Sequence, residues 1–103
     1  MIRVSVFYPN ENGSRFDMTY YLERHMPMVQ SKLGKACRRI EVDQGLAGGT
    51  WKSAPPYAAI GHLFFDSVEA FQAAFAPQAN TILSDIPNYT NTQPTIQVSE
   101  VKM

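Results

Sequence analysis

The chain has 103 residues, of which 45% are hydrophobic and only 17% are charged. That length favours a single domain over residues 1–103, and the charged fraction lies below the roughly 25% typical of soluble domains, which indicates surface hidden by a partner. Nine Lys and Arg balance nine Asp and Glu, so no net charge attracts nucleic acid or an anionic membrane surface, and we expect neither as a partner.

The first third of the chain predicts a strand followed by an interrupted helix. A period of two over residues 2–8, rich in β-branched residues, is typical of a strand, and Pro9 begins the turn that ends it. Apolar positions then recur at steps of three and four, as on one stripe of a helix: Met18, Leu22, His25, Val29 and Leu33. Asp17 is the predicted N-cap and Gly34 the predicted end. Because Pro27 has no backbone N–H, we expect a kink or two abutting helices near the two residues before it.

The rest of the chain predicts three strands and a second helix. We expect a strand with one wet face over residues 36–47 and a central strand over residues 57–65, because both parities of the latter are mostly apolar. A second amphipathic helix is expected from Val68 to Phe75, capped by Ser67 and ended or bent at Pro77. The remaining predictions are a short helical piece over residues 79–83, an irregular loop over residues 85–90 and a closing strand over residues 96–101.

This order of elements predicts an α+β fold, the ferredoxin-like βαββαβ sandwich, with two helices on one face of a four-stranded antiparallel sheet. Two helices can cover only one face of such a sheet. Since the central strand is apolar on both sides, its second face needs another cover, and an identical subunit is the simplest one. We therefore expect a sheet-to-sheet homodimer.

Several kinds of site and location are not indicated by the sequence. Cys37 is the only cysteine, which excludes an internal disulfide, and no Cys or His spacing fits a zinc site. No phosphate-binding loop, dinucleotide-binding glycine motif or proximal haem signature is present, so we expect no metal and no cofactor. The chain opens without the features of a secretory signal, and no run approaches about 18 apolar residues. We expect a cytoplasmic protein that does not enter a membrane.

Short segments spread over almost the whole chain are similar to a known family. They are Phe7-Tyr8-Pro9, Phe16-Asp17, Tyr20-Tyr21, His25-Met26-Pro27, Leu33-Gly34, Ala59, His62-Leu63-Phe64-Phe65, Ser67, Phe71 and Asp85-Ile86-Pro87-Asn88-Tyr89-Thr90. With them the chain resembles the EthD family, part of the dimeric α+β barrel superfamily. The histidine–proline element at residues 25–27 and the string at residues 85–90 are the specific parts, because helix or strand periodicity demands neither.

The resemblance implies a dimeric α+β barrel and a connection with the degradation of organic compounds. The family takes its name from bacterial gene clusters for ethyl tert-butyl ether breakdown, in which a cytochrome P450 system performs the oxidation. The wider superfamily contains monooxygenases, isomerases, dehydratases and haem-degrading proteins. Likeness of fold alone therefore does not choose a chemistry.

Two residues are candidates for acid or base catalysis. His25 lies on the inward stripe of the first helix, and the family's first-helix histidine supports a catalytic role for it. Asp85 stands in an apolar neighbourhood, where a carboxylate could accept one histidine N–H and fix its tautomer. The structural alternatives are a buried histidine satisfied by one hydrogen bond and a loop aspartate that caps a turn.

Five further residues are candidates for binding a substrate. Tyr20, Tyr21, Tyr89 and Trp51 could line an aromatic pocket for a planar or lipophilic ligand, with a phenol as hydrogen-bond donor or acid. His62 lies inside the central strand and faces either the helices or the partner subunit. The alternative is that the tyrosines and His62 serve the core or an interface.

Three functions remain open. In the first, a small hydrophobic or aromatic molecule binds between helices and sheet, and His25, oriented by Asp85, acts as general base. Proton abstraction, isomerisation and cofactor-free oxygenation by an oxidoreductase all fit this function. In the second, the chain is a non-catalytic accessory or ligand-binding protein for an oxidase system in an oxidative or xenobiotic-degrading pathway. In the third, it is a dimer whose pocket has lost its use.

Overall fold

A four-stranded antiparallel sheet with helices on one face forms the frame of the computed structural model, which describes residues 1–103. The strands are β1 (Ile2–Pro9), β2 (Arg39–Gln44), β3 (Tyr57–Phe65) and β4 (Thr95–Glu100). The helices are α1 (Met18–Tyr20), α2 (Met26–Leu33), α3 (Val68–Phe75) and α4 (Ala79–Ser84). The strand order β2-β3-β1-β4 is that of the split βαβ pattern, which confirms the predicted ferredoxin-like fold.

The sheet has an inner face toward the helices and an outer face without helices. Val4 of β1 lies opposite Leu63 of β3 and Val98 of β4, and these positions face inward. The next residue, Ser5, lies opposite His62 and faces outward with it. The two-sided apolar pattern of β3 is borne out, since Leu63 and Phe65 are buried inside while Phe64 is buried outside.

The first helix is interrupted by a π-helical turn at Tyr21–His25, which joins α1 to α2. Its mark is the Met26 backbone N–H, which donates to the Tyr21 carbonyl five residues back. The wider turn stands just before Pro27, where we expected a kink, and it makes room for a residue that cannot continue the normal ladder. Proline therefore produces a local widening between the two helical pieces.

The π-helical turn also corrects the predicted stripe. Leu22 was expected to face inward, but it is 50% exposed. The extra residue in the turn shifts the register, so that Tyr21 points into the core in its place and has no exposed surface. The positions after the turn, Val29 and Leu33, are buried as expected.

The predicted caps and the end of the first helix are confirmed, while the second strand and the loop over residues 85–90 differ from the prediction. The Asp17 and Ser67 side chains accept hydrogen bonds from backbone N–H groups three residues on, and Gly34 ends α2 with φ of 66°. The strand expected over residues 36–47 is shorter than predicted. A 3₁₀ turn at Gly34–Ala36 precedes it, and the chain that follows it is polar and glycine-rich. The loop expected over residues 85–90 contains a 3₁₀ turn at Ile86–Asn88. No helix combines the length and apolar character needed to cross a membrane.

Candidate functional site

A small apolar cavity lies between the inner face of the sheet and the helices. Its volume is about 80 Å³. The lining residues come from β1, β3, β4, the π-helical turn and the three longer helices or their ends: Val4, Val6, Tyr8, Tyr21, His25, Met26, Val29, Leu63, Phe71, Phe75, Ile82, Ile86 and Ile96. Ile96 contributes the lining from β4 and is itself 49% exposed.

His25 is the one ionisable group other than tyrosine in the cavity wall. It ends the π-helical turn and is only 4% exposed. Its Nδ1 donates to Oδ2 of Asp85 at 2.9 Å, since an ionised carboxylate can only accept. Asp85 follows α4 directly and does not line the cavity. The structure thus brings together the two residues that sequence reasoning singled out, with Asp85 behind His25.

The Asp85 carboxylate is held in place by two further donors. The Tyr20 hydroxyl donates to Oδ1 at 2.7 Å, and the Asn88 side-chain amide donates to the same oxygen at 2.9 Å. Oδ2 is left for His25. Burial acts to raise the pKa of Asp85, but the hydrogen bonds from Asn88, His25 and Tyr20 outweigh it, so that the pKa lies below its ordinary value. Asp85 is therefore a carboxylate at neutral pH.

The state of His25 follows from its burial and its partner. Removal from water lowers the pKa of His25 below 6.5, although the hydrogen bond and the charge of Asp85 act in the opposite direction. At neutral pH the ring is consequently neutral, with its proton on Nδ1. Its Nε2 then carries a lone pair on the side away from Asp85, which is the form that a general base requires.

Two tyrosines continue the hydrogen bonds of His25 toward the sheet. The Tyr89 hydroxyl lies 3.3 Å from His25 Nε2, and the Tyr8 hydroxyl lies 2.7 Å from the Tyr89 hydroxyl. Burial raises the pKa of both phenols above 10.0. Sequence reasoning placed Tyr8 in the first strand but missed it as a site residue. The signal in the sequence was that Tyr8 brings a hydroxyl to the inward face of β1, whose other inward residues are aliphatic.

The string at residues 85–90 folds into a compact support for this site. Pro87 lies in the first turn of its 3₁₀ segment, and the Asn88 amide bonds back to Asp85. The Tyr89 carbonyl accepts from the Asp17 backbone N–H at 2.8 Å, and the Thr90 hydroxyl donates to the Arg15 carbonyl at 2.7 Å. These long-range bonds fix Tyr89 against the start of the first helix.

The other candidate residues divide between the two faces of the sheet. Tyr21 lines the cavity, Tyr20 contacts Asp85 from outside it, and Tyr89 lies behind His25. His62 lies on the outer face, where its ring nitrogens are 3.0 Å from Ser5 Oγ and 3.0 Å from Asp43 Oδ2.

Trp51 does not contact the cavity or the His25–Asp85 pair. It is 90% exposed in the loop between β2 and β3 and lines a shallow depression together with Tyr57 and Ile60. The structure therefore brings neither Trp51 nor His62 to the cavity. No three His, Cys, Asp or Glu side chains lie close enough together to hold a metal ion.

Comparison with known proteins supports the likeness of the chain to one family. A family model described as the EthD domain matches residues 14–93. These residues include His25, Asp85 and Tyr89, whereas Tyr8 precedes them. None of the curated proteins matches the chain.

Solved structures include one similar protein and two more distant ones. An EthD-like protein from Ralstonia eutropha JMP134 is 45% identical, with 99% of this chain and 92% of that chain covered and a TM-score of 0.94. An ethyl tert-butyl ether degradation (EthD) family protein from Bacillus halodurans C-125 is 15% identical, with 99% of each chain covered and a TM-score of 0.76. HapK from Hahella chejuensis is 11% identical, with 97% and 92% covered and a TM-score of 0.56. The last two show a shared fold alone.

Proposed function

Because the chain belongs to the EthD family, we propose that it binds a small hydrophobic or aromatic molecule in the cavity and moves a proton of that molecule by way of His25. Asp85 fixes the tautomer of His25, and Tyr21 supplies aromatic wall. Isomerisation and cofactor-free oxygenation are the reaction classes that need such a group, within an oxidative or xenobiotic-degrading pathway.

The observation that best supports this proposal is a neutral imidazole, hydrogen-bonded to a carboxylate, in the wall of an otherwise apolar cavity. A histidine that only fills space needs one hydrogen bond, whereas His25 has partners at both ring nitrogens. Because burial lowers the pKa of His25, the ring is neutral near pH 7 and able to accept a proton. The apolar wall excludes water, which strengthens electrostatic interactions inside.

The size of the cavity restricts the ligand. A cavity of roughly 150 Å³ holds benzene, and the present volume of about 80 Å³ is about half of that. A molecule of a few heavy atoms fits without rearrangement, and an aromatic ring requires the wall to move. We expect α3 to be the part of the wall that moves, because it contains no fully buried residue. Phe71 and Phe75, which it contributes to the wall, are only half-buried.

Filling the cavity is expected to weaken binding strongly without unfolding the chain. Val6 and Val42 lie on either side of Gly61 in the sheet and face the helices, but only Val6 lines the cavity. Xenon is a suitable neutral probe because it enters apolar cavities. We expect Val6→Phe to weaken xenon binding by about tenfold or more, since the added ring occupies the space.

Val42→Phe is the matched control for this experiment. It adds the same ring to the same face of the sheet, one strand beyond Gly61 and outside the cavity. Xenon binding followed by ¹²⁹Xe chemical shift should equal that of the parent chain. Equal binding by parent and Val6→Phe, or equal losses in both variants, would show that this cavity is not the ligand site.

A non-catalytic ligand carrier is the second candidate, and one observation favours it. Every polar side-chain atom of His25 and Asp85 already has a partner inside the protein, so these two side chains are satisfied without a ligand. A carrier would hold a molecule through the apolar wall alone. It would support an oxidase system by delivering or protecting that molecule.

A second copy of the chain is the proposed cover for the outer face of the sheet. Phe7, Ile60 and Phe64 form an apolar strip there. Two guanidinium groups already lie over the Phe64 ring, at 4.3 Å for Arg39 and 5.4 Å for Arg3. Arg3 Nε is buried without a hydrogen-bond partner. A buried polar group without a partner is costly. A facing subunit could supply an acceptor for Arg3 Nε, and this supports the homodimer.

Sedimentation at micromolar concentration tests the homodimer. We expect the parent chain to sediment at twice its mass of 11.6 kDa. Ile60→Glu places a charge on the outer strip and should give monomers, because an unpaired charge at an interface costs several kcal/mol. Leu22→Glu, on the exposed side of the first helix, is the matched control and should remain dimeric. A parent chain that sediments as a monomer would refute the dimer.

A further inference from the structure

Three polar side chains face the cavity: those of Tyr8, Tyr21 and His25. His25 has a single lone pair available for a proton, at Nε2, because Nδ1 donates to Asp85. That lone pair faces the Tyr89 hydroxyl at 3.3 Å, and Tyr89 is not part of the cavity wall. A ligand in the cavity therefore cannot reach the basic atom of His25 without displacing Tyr89, which is 1% exposed and packed.

Counting protons fixes the direction of every hydrogen bond in the chain of groups. Asp85 only accepts, so His25 donates through Nδ1, and Nε2 must accept the Tyr89 proton. With its one proton used, Tyr89 accepts from Tyr8 at 2.7 Å. All donors thus point from the sheet toward Asp85. The Tyr8 oxygen, which donates its proton to Tyr89, has the Tyr21 hydroxyl as its neighbour in the cavity wall.

Tyr8 is held in a rigid frame of aromatic rings. Its ring centroid lies 4.9 Å from that of Phe16, 5.5 Å from that of Tyr21 and 5.7 Å from that of Tyr89. Tyr8 itself is 2% exposed and lies at the end of β1. Such packing fixes the phenol oxygen relative to the cavity, which proton transfer over a short distance requires.

We propose that Tyr8 is the residue that exchanges a proton with the ligand, and that Tyr89 relays this proton between Tyr8 and His25. The ligand proton moves to the Tyr8 oxygen as the Tyr8 proton moves to Tyr89 and the Tyr89 proton moves to His25 Nε2. The products are a ligand anion and an imidazolium beside the Asp85 carboxylate, with both phenols neutral. The same steps in reverse return the proton, so no oxidant or other co-reactant is needed.

The inference rests on the proposed function and names a substrate class for it. The substrate is a small, largely apolar molecule with one acidic C–H or O–H beside an electron-withdrawing oxygen-containing group. After transfer, the new Tyr8 O–H points back at the ligand and stabilises the anion by a charge-assisted hydrogen bond. The apolar remainder of the molecule lies against the aliphatic wall.

Deuterium exchange into nitroethane tests the relay, because nitroethane is a small carbon acid with few heavy atoms. The exchange is followed by NMR in heavy water with the parent chain, Tyr8→Phe and Tyr89→Phe. Each variant removes one hydroxyl and keeps the ring. We expect both to lower the protein-catalysed exchange rate by about tenfold or more, since acid–base groups typically contribute 10²- to 10⁴-fold. Tyr57→Phe, on the outer face, is the control and should match the parent.

The outcomes distinguish a failure of the relay from a failure of the proposed function. Losses in both tyrosine variants, with thermal melting close to that of the parent, support the relay. If His25→Gln lowers exchange while both tyrosine variants keep the parent rate, His25 acts directly, and the relay is refuted while the proposed function stands. If no variant changes the rate, or the parent does not exceed the buffer rate, both are refuted. Should Tyr8→Phe not fold, Tyr89→Phe decides, because it breaks the same relay one step later.

Discussion

Replacing Gly61 with Ala is expected to lower the free energy of unfolding by about 1–3 kcal/mol, the usual cost of overpacking a buried site. Gly61 is buried on the inner face of β3, under the Tyr21 side chain. A new Cβ there would collide with the Tyr21 hydroxyl and lie 2.9 Å from Met26 Cε. Because Tyr21 is fully buried among aromatic rings, it cannot turn away at little cost. Urea unfolding followed by circular dichroism measures the change.

Two further variants make this result specific to the contact. Gly49→Ala adds the same methyl group where no atom lies within 4 Å, so its stability should match that of the parent. Tyr21→Phe removes the colliding hydroxyl, and the double variant with Gly61→Ala should recover part of the loss. Contacting residues typically couple by about 0.5–3 kcal/mol in such a cycle. Additive effects of the two changes would mean that the Tyr21 hydroxyl does not lie over Gly61.

Local patterns in the sequence predict most of the fold because they depend on near neighbours. The alternation in β1, the double apolar character of β3 and the caps at Asp17 and Ser67 each follow from a period or a capping preference. The π-helical turn does not follow from such a pattern, because a turn that holds one extra residue has no distinctive composition. It exchanges Leu22 for Tyr21 on the inward side, and only Pro27 hinted at an irregularity there.

The sequence predicted only part of the site, because the site depends on contacts between residues that are far apart in the chain. His25 and Asp85 are 60 residues apart, and their hydrogen bond depends on how α4 meets the first helix, which no local pattern specifies. The resemblance to a known family drew attention to both residues, and the chemistry of a carboxylate that fixes a histidine tautomer suggested pairing them. Tyr8 was missed because its link to the site is a hydrogen bond to Tyr89, 81 residues away. Trp51 looked like a pocket residue by type, but its loop holds it in solvent.

Replacing His25 with Gln is expected to reduce nitroethane exchange by about 100-fold or more, in line with the usual contribution of a general base. Gln keeps much of the volume and can donate to Asp85 while its carbonyl accepts from Tyr89. The hydrogen-bonded frame is therefore retained, and we expect little change in thermal melting. What Gln lacks is a nitrogen that can take up a proton near pH 7.

His62→Gln is the matched control, because the chain has two histidines and His62 lies on the outer face of the sheet. It should change exchange far less than the same replacement at position 25.

The most direct test of a working His25 is the exchange rate of His25→Gln measured together with its melting temperature. A folded variant with about 1% or less of the parent rate agrees with a base in the cavity wall. A variant that melts early yet exchanges like the parent at low temperature would make His25 a structural residue. In that case a ligand carrier would remain as the function of the cavity.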